Sequence, residues 1–414
     1  MDRHGDGEYL IRGYSGRIFL LVAIGVLAAN LGRQALPPLL PTIIDDLAIS
    51  AAAAGLAFTV MRICFAILQY PSGRVADVVS RKFAVMGGLV VFLLGFVLLT
   101  QSVSYPMFMA SMVLLGGGAA FFFVSERVLL SDIFVSKRGR AFGFNSAFSR
   151  IGAILAAGLA VTTIAIGPWQ LAFIPVILLL VGLVIAFHFV SLEPYRVEEI
   201  RQLAGGTAHV RTTVRRVFGT AEIRLLVVAY TLIIFTWEGV LTFLPTYLQV
   251  SKGLSPWFAS GGFAALFAVG IIVQPAAGAF SDRWDRRVIA GIATVTSILG
   301  LAVLLLAGSI LSITAGIVLY AAGLMAFTPV LQAYLMDIFP ESSKGGDLGA
   351  FKTIYEGLSS LGPTYVGVVA GVAGFGVAFG GFLVCLAVSA IILVWLYIND
   401  RRTGVNSTLT ESSG

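Results

Sequence analysis

Residues Gly278–Arg287 read GAFSDRWDRR, and six of the ten are Asp, Arg or Ser in a chain that is otherwise mostly apolar. A related run, GRVADVVSRK, fills Gly73–Lys82, 205 positions earlier. Within the two runs Asp77 corresponds to Asp282 and Arg81 to Arg286 at that one offset. A third pair, Asp132 and Asp337, keeps it too, inside SDIFVSKRGRAFG and MDIFPESSKGGDLG. Polar punctuation repeated at a fixed spacing across half a chain marks an internal duplication with the two copies in parallel.

The composition says what is duplicated. Of 414 residues, 58% are hydrophobic and 12% charged, against about 25% charged in soluble domains. Mean hydropathy is +0.96. The apolar material comes in stretches of about 20 residues, the length of a membrane-crossing helix and about twice that of a barrel strand. The expected fold class is therefore an all-α polytopic membrane protein, with twelve transmembrane helices in two pseudo-symmetric six-helix bundles. The spans fall at about 16–41, 52–77, 83–101, 106–133, 140–164, 168–190, 223–248, 256–280, 288–307, 310–336, 346–371 and 374–398. Most connections are short; 191–222 is a polar, Arg-rich linker. The organisation reads as an N-terminal bundle over 1–190, a linker over 191–222, a C-terminal bundle over 223–398 and a tail over 399–414.

Charge sets orientation. Of 27 Lys and Arg residues, five lie inside spans, Lys252 lies in an odd-to-even loop, and the rest lie in the tails, the even-to-odd loops and the linker. The positive-inside rule then places both termini and the linker on the cytoplasmic side of the cell membrane. The sequence pI of about 9.4 is explained by that bias, without nucleic acid as a partner. Asn406, in an Asn-Ser-Thr triplet, falls on the side that is not glycosylated. The N-terminus does not read as a cleavable signal, so the first span is expected to direct insertion. Cys64 and Cys385 sit in apolar spans, and His4, His188 and His209 show no ligand spacing. Neither a metal site, a cofactor nor a catalytic residue set is expected, and no Gly-x-x-x-x-Gly-Lys-Ser/Thr loop is present.

Two such loops at the same place in two six-span halves resemble the major facilitator superfamily, whose hallmark reads Gly-x-x-x-Asp-Arg-x-Gly-Arg-Arg. The second copy supplies Gly278, Asp282, Arg283, Arg286 and Arg287, with Asp285 where the family prefers Gly. The first supplies Gly73, Asp77, Arg81 and Lys82, with Val78 and Ser80 at the usual Arg and Gly. The resemblance implies a gating role for Gly73, Asp77, Arg81, Asp132, Gly278, Asp282, Arg286 and Asp337. The glycines would let helices approach closely. Asp77 would face the N-terminus of span 11, Arg81 would pair with Asp132, and Arg286 with Asp337. The competing reading is that these residues only anchor loops and topology.

Eight ionisable residues sit inside spans: Arg33, Arg62, Arg127, Arg150, Lys352, Glu126, Glu238 and Glu356. Each costs at least about 2.5–3.5 kcal/mol at the centre of a bilayer, so they should face water or one another. At about 1.5 Å per residue, Arg62, Arg150 and Glu356 lie roughly 15 Å from the cytoplasmic ends of their helices. Arg33 plus 205 is Glu238, and Arg150 plus 206 is Glu356, so matching positions carry opposite charges. In the resembling fold spans 1, 4, 7 and 10 line the cavity, which makes Arg33, Glu126 or Arg127, and Glu238 cavity residues. Two readings stand side by side. In one, Arg33, Arg62, Arg127 and Arg150 bind an anionic substrate, with Trp237 and Tyr355 as aromatic contacts, and Glu126, Glu238 or Glu356 exchanges a proton. In the other, the charges form internal salt bridges. Phe121, Phe122, Phe123 and Phe235 could stack on substrate or simply pack. Pro37, Pro38, Pro41, Pro245 and Pro329 are expected to break or bend spans 1, 7 and 10.

NLGRQALPPLLPTI, Asn30–Ile43, resembles the first span of organic-anion carriers, with Arg33 eight residues before Pro41. Their glutamate after "LLG" in span 4 is absent here, where LLGGGAAFFF stands and Glu126 comes later. Drug antiporters usually carry an Arg early in span 4 and Gly-Pro in span 5; YPMFMASMVLLGGG and SRIGAILAAG carry neither, though span 11 holds Gly362-Pro363. The expectation is a monomeric secondary active transporter of a small organic anion, a carboxylate or phosphate ester, coupled to protons or another ion. The alternatives are a proton-coupled multidrug efflux antiporter, a membrane sensor that kept the carrier fold, and a channel.

Overall fold

The computed structural model describes residues 9–10, 12–192, 221–338 and 344–411, so most of the Arg-rich linker lies outside the described residues. Almost everything described is α-helix: α1 Gly13–Asp46, α2 Ala51–Val78, α3 Arg81–Thr100, α4 Tyr105–Ile133, α5 Arg138–Ile166, a 3-10 turn Trp169–Phe173, and α6 Ile174–Val190. After the linker come α7 Ala221–Val250, α8 Pro256–Ser281, α9 Arg286–Leu306, α10 Ile310–Ile338, α11 Lys344–Ser359, α12 Gly362–Ala373 and α13 Phe375–Glu411. Eleven segments among the described residues are long and apolar enough to cross a membrane. Inside hydrocarbon a backbone amide has no water to bond, so a helix, which satisfies its amides within the segment, is the natural outcome of these sequences.

The expected span 346–371 is not one helix. It is α11 followed by α12, separated by a turn at Ser360 and Leu361. Pro363 has no N–H to donate and sits in the first turn of α12, where none is needed. The Thr364 amide, one of the unpaired N–H groups that every helix start leaves, donates to Thr59 Oγ1 of α2 at 3.3 Å. The Thr364 hydroxyl meets the same oxygen at 2.8 Å. Pro37, Pro38, Pro41, Pro245 and Pro329, expected to break or bend their spans, lie within unbroken helices, as do Pro71 and Pro275. Membrane helices tolerate proline because neighbouring groups satisfy the freed carbonyl. The last helix also runs past the expected boundary at 398, to Glu411, although its apolar part ends at Asn399.

The chain divides into two compact units. Unit 1 holds residues 1–206, 241–264 and 363–371, and unit 2 holds 207–240, 265–362 and 372–414. In unit 1, α1 packs on α5, α4 packs on α2 and α3, and α6 lies against α1 and α3. In unit 2, α9 packs on α10 and α13. The close pairs meet through small residues, as expected where lipid removes the hydrophobic drive between helices. A Cβ on Gly116 of α4 would collide with the Met61 carbonyl of α2, and one on Gly300 of α9 with the Tyr320 amide of α10. Those contacts are backbone on backbone, so no rotamer change relieves them. Gly300→Leu is therefore expected to lower the thermal unfolding midpoint in detergent by the equivalent of at least about 1–3 kcal/mol. Gly291→Leu on the same helix, where a Cβ meets nothing within 4 Å, is the control and should leave it near wild type.

Candidate functional site

Arg33 of α1 and Arg62 of α2 line one small cavity with Gln34, Pro37, Phe58, Met61, Leu241 and Thr242. Its volume is about 10 Å³, enough for about one water. Both charged side chains in this lining are cationic. The Arg33 guanidinium lies 6.0 Å from the Phe65 ring centre and 5.6 Å from that of Phe123. Aromatic faces attract the cation through the ring quadrupole. A guanidinium that uses its faces for stacking still carries its five N–H donors in the plane, the geometry that matches a carboxylate or phosphate. Phe123 is thus a support for Arg33. Phe122 packs edge-on against Phe92, with 6.3 Å between ring centres.

A second polar centre lies between α4 and α5. Glu126 is buried, its side chain 2% exposed. Asn145 Nδ2 of α5 donates to Glu126 Oε2 at 3.1 Å. Arg127 Nε stands 3.8 Å from Glu126 Oε1, and its side chain is 63% exposed. Neighbouring residues on a helix diverge by about 100°, which is why one of this adjacent pair is buried and the other is not. Asn145 is itself 7% exposed.

The other predicted site residues are placed elsewhere. Arg150 is partly buried on α5 and is not in the lining of the Arg33–Arg62 cavity. In unit 2, Glu238 is buried on α7 within electrostatic reach of the buried Tyr320. Trp237 packs edge-on against Phe267, with 6.2 Å between ring centres. Tyr355 lies 4.3 Å from Tyr230, ring centre to ring centre. Glu356 Oε1 is 3.5 Å from Lys352 Nζ, one turn away on α11.

The repeated loops have concrete jobs. Ser80 and Asp285 stand where the resembling pattern has glycine. Each is the N-cap of the next helix: Ser80 Oγ accepts from the Phe83 amide at 3.0 Å, and Asp285 Oδ1 from the Arg287 amide at 2.9 Å. Serine and aspartate are preferred caps because their oxygens satisfy the open amides of a first turn. Arg81 Nε donates to Asp132 Oδ2 at 2.9 Å. Lys82 Nζ donates to the His188 and Ser191 carbonyls at 2.9 and 2.7 Å, a cation at the C-terminus of α6. In the second copy Arg286 Nη1 donates to the Ala333 carbonyl at 2.6 Å, and the Arg287 guanidinium lies over the Tyr334 ring at 5.4 Å. Tyr334 in turn donates to Glu222 Oε1 at 2.9 Å. The side chains of Asp77 and Asp337 lie outside the described residues. The glycines of the two loops are not points of close approach. A Cβ on Gly73 would rest 3.7 Å from Val124, and one on Gly278 would meet nothing within 4 Å. Asp282 is exposed at the end of α8.

The sequence profile of the Major Facilitator Superfamily matches residues 22–274 and 263–413. The chain belongs to the major facilitator superfamily. It is therefore a multi-pass membrane protein and a secondary transporter rather than an enzyme. Among solved structures, a bacterial homologue of the human lysosomal transporter Spinster, in an inward-facing and unoccupied conformation, is similar with a TM-score of 0.80 at 15% identity, over 93% of this chain and 97% of that one. A point mutant of the nucleoside transporter NupG gives 0.79 at 14% identity, over 92% and 100%. A D-xylose–proton symporter gives 0.74 at 15%, over 93% and 98%. No curated protein matches the chain in sequence. Relatives named for nucleosides and a sugar share this fold, so the superfamily fold by itself does not select a substrate.

Gln34, Thr242 and Asn145 are site residues that sequence reasoning passed over. All are uncharged, and nothing in a single sequence separates a polar residue facing a cavity from one satisfied by its own helix. For this major facilitator, the Arg81–Asp132 pair is 30% and 49% exposed, so solvent screening keeps its static worth low. A double-mutant cycle over Arg81→Ala and Asp132→Ala, read by unfolding in detergent, is expected to give a coupling energy below about 1 kcal/mol.

Proposed function

We propose that this transporter moves a small organic anion, a carboxylate or phosphate ester, coupled to protons by alternating access. The supporting observation is that Arg33 and Arg62 converge on one buried cavity together with the polar Gln34 and Thr242. Two cations at one buried place select against a cationic substrate by direct repulsion. An anion with two or more oxygens would be gripped by planar, charge-assisted hydrogen bonds. The flanking Phe58, Met61 and Pro37 favour a short organic body, which this cavity, with room here for about one water, would admit only once alternating access opens it.

Glu126 is the proposed proton carrier. It is a buried carboxylate with a neutral donor on one oxygen and a cation 3.8 Å from the other. Protonation would remove a negative charge from the unit that holds Arg33 and Arg62, which favours a bound anion. In this reading Arg81–Asp132 and the Arg286, Arg287 and Tyr334 contacts are gating groups, made and broken as the cytoplasmic side closes and opens. The protein works as a monomer in the cell membrane, with both termini cytoplasmic.

The test is uptake into proteoliposomes under an imposed pH gradient, with labelled gluconate, citrate and glycerol phosphate as anions and tetraphenylphosphonium as the cationic probe. Uptake of at least one anion, none of the cation, is the expected result; the reverse would refute the anion assignment. Arg33→Gln and Arg62→Gln should each reduce anion flux at least about tenfold, the loss of one charge-assisted hydrogen bond. Glu126→Gln should retain anion exchange without a gradient but lose acceleration by external acid. Acceleration that survives in Glu126→Gln would move the proton site elsewhere.

A further inference from the structure

The Glu126 centre contains one atom that its present hydrogen bonds do not explain. Among the described residues nothing donates to the buried Asn145 Oδ1, while Nδ2 of the same amide donates to Glu126 Oε2. Leaving such an acceptor buried and unmet costs about 1–3 kcal/mol. A leucine of similar size would avoid that cost, so the amide calls for a reason. An ionised carboxylate only accepts, whereas a protonated one also donates. An asparagine amide presents a donor on one side and an acceptor on the other. Rotating it by about 180° about its last side-chain torsion, a soft two-fold rotor, exchanges the two.

We propose that Asn145 is a positioning residue that reads the protonation state of Glu126, donating through Nδ2 to the carboxylate and accepting through Oδ1 from the carboxylic acid. A proton from water adds to Oε2. The amide turns, Nδ2 gives up its bond to Oε2, and the new Oε2–H donates to Oδ1, which then has the partner it lacks in the ionised state. Because Asn145 lies on α5 and Glu126 on α4, the rotation carries a change of charge on one helix into a change of contact with the next.

This rests on the reading of Glu126 as the proton-coupling group. The helices packed against α4 are α1, α2, α3 and α5. Their cations nearest mid-span are Arg33, Arg62 and Arg150, while at the helix ends Arg81 is held by Asp132 and Lys82 by the end of α6. Among the described residues the cation paired with Glu126 is Arg127, on its own helix.

The experiment needs no transported substrate. Infrared difference spectra of the full-length protein in liposomes, stepped in pH, should show a protonated-carboxyl band that Glu126→Gln lacks. Asn145→Leu removes both the donor to the carboxylate and the acceptor from the acid; the charge-assisted bond is the stronger of the two, so the midpoint of that band should move to higher pH by about one unit, the difference between them. Its carbonyl stretch should shift to that of a carboxyl without an acceptor on its O–H. Asn145→Asp replaces the donor by a like charge and should move the midpoint in the same direction; it serves if the leucine variant does not fold. A midpoint unchanged in both folded variants, with the band still absent in Glu126→Gln, overturns the role of Asn145 and leaves Glu126 as carrier. A full set of titrating bands in Glu126→Gln overturns the reading of Glu126 itself.

Discussion

A hydrocarbon layer about 30 Å thick offers a polar atom nothing to bond to, and each feature of this protein answers that one constraint. Backbone amides answer it by forming helices that satisfy themselves. That is why the prolines of α1, α7 and α10 leave their helices continuous. Where continuity does fail, at Ser360 and Leu361, the replacement partner is explicit. Thr59 of α2 receives both the amide and the hydroxyl of Thr364, within the same compact unit. A break between two short helices is tolerable there because a neighbour takes the open amide.

Side chains answer the constraint by gathering. Arg33 lies over two phenyl rings and shares a cavity with Arg62. Glu126 is met by an asparagine from the next helix and by the arginine beside it. The two centres differ in kind. The first brings two guanidinium groups to one cavity. The second is a single buried carboxylate that meets one neutral donor and one cation.

The loops obey a milder rule, since they meet water. There the two departures from the family pattern, Ser80 and Asp285, have a local role of their own. Where glycine would have relied on backbone freedom, these residues cap the following helix with a side-chain oxygen. The basic residues after them reach back to helix ends and neighbouring carbonyls.

Hydropathy and the 205-residue repeat were enough to read the membrane class and the helical fold, and the superfamily was legible from the resemblance of the two repeated loops to its hallmark motif. Those features are carried by dozens of residues at once, so no single misplacement spoils them. The buried charges were also legible, because an ionisable residue within an apolar span is conspicuous wherever it points. Which of them meet was decided by tertiary structure. The pairing of Arg33 with Arg62, the meeting of Glu126 with Asn145, and the separation of Glu126 from Arg127 by exposure depend on helix rotation and on contacts between residues up to some two hundred positions apart, as in the cavity that brings Thr242 to Arg33. Polar, uncharged residues such as Asn145 cost too little in a helix to stand out in a sequence, and acquire meaning only from the group they face.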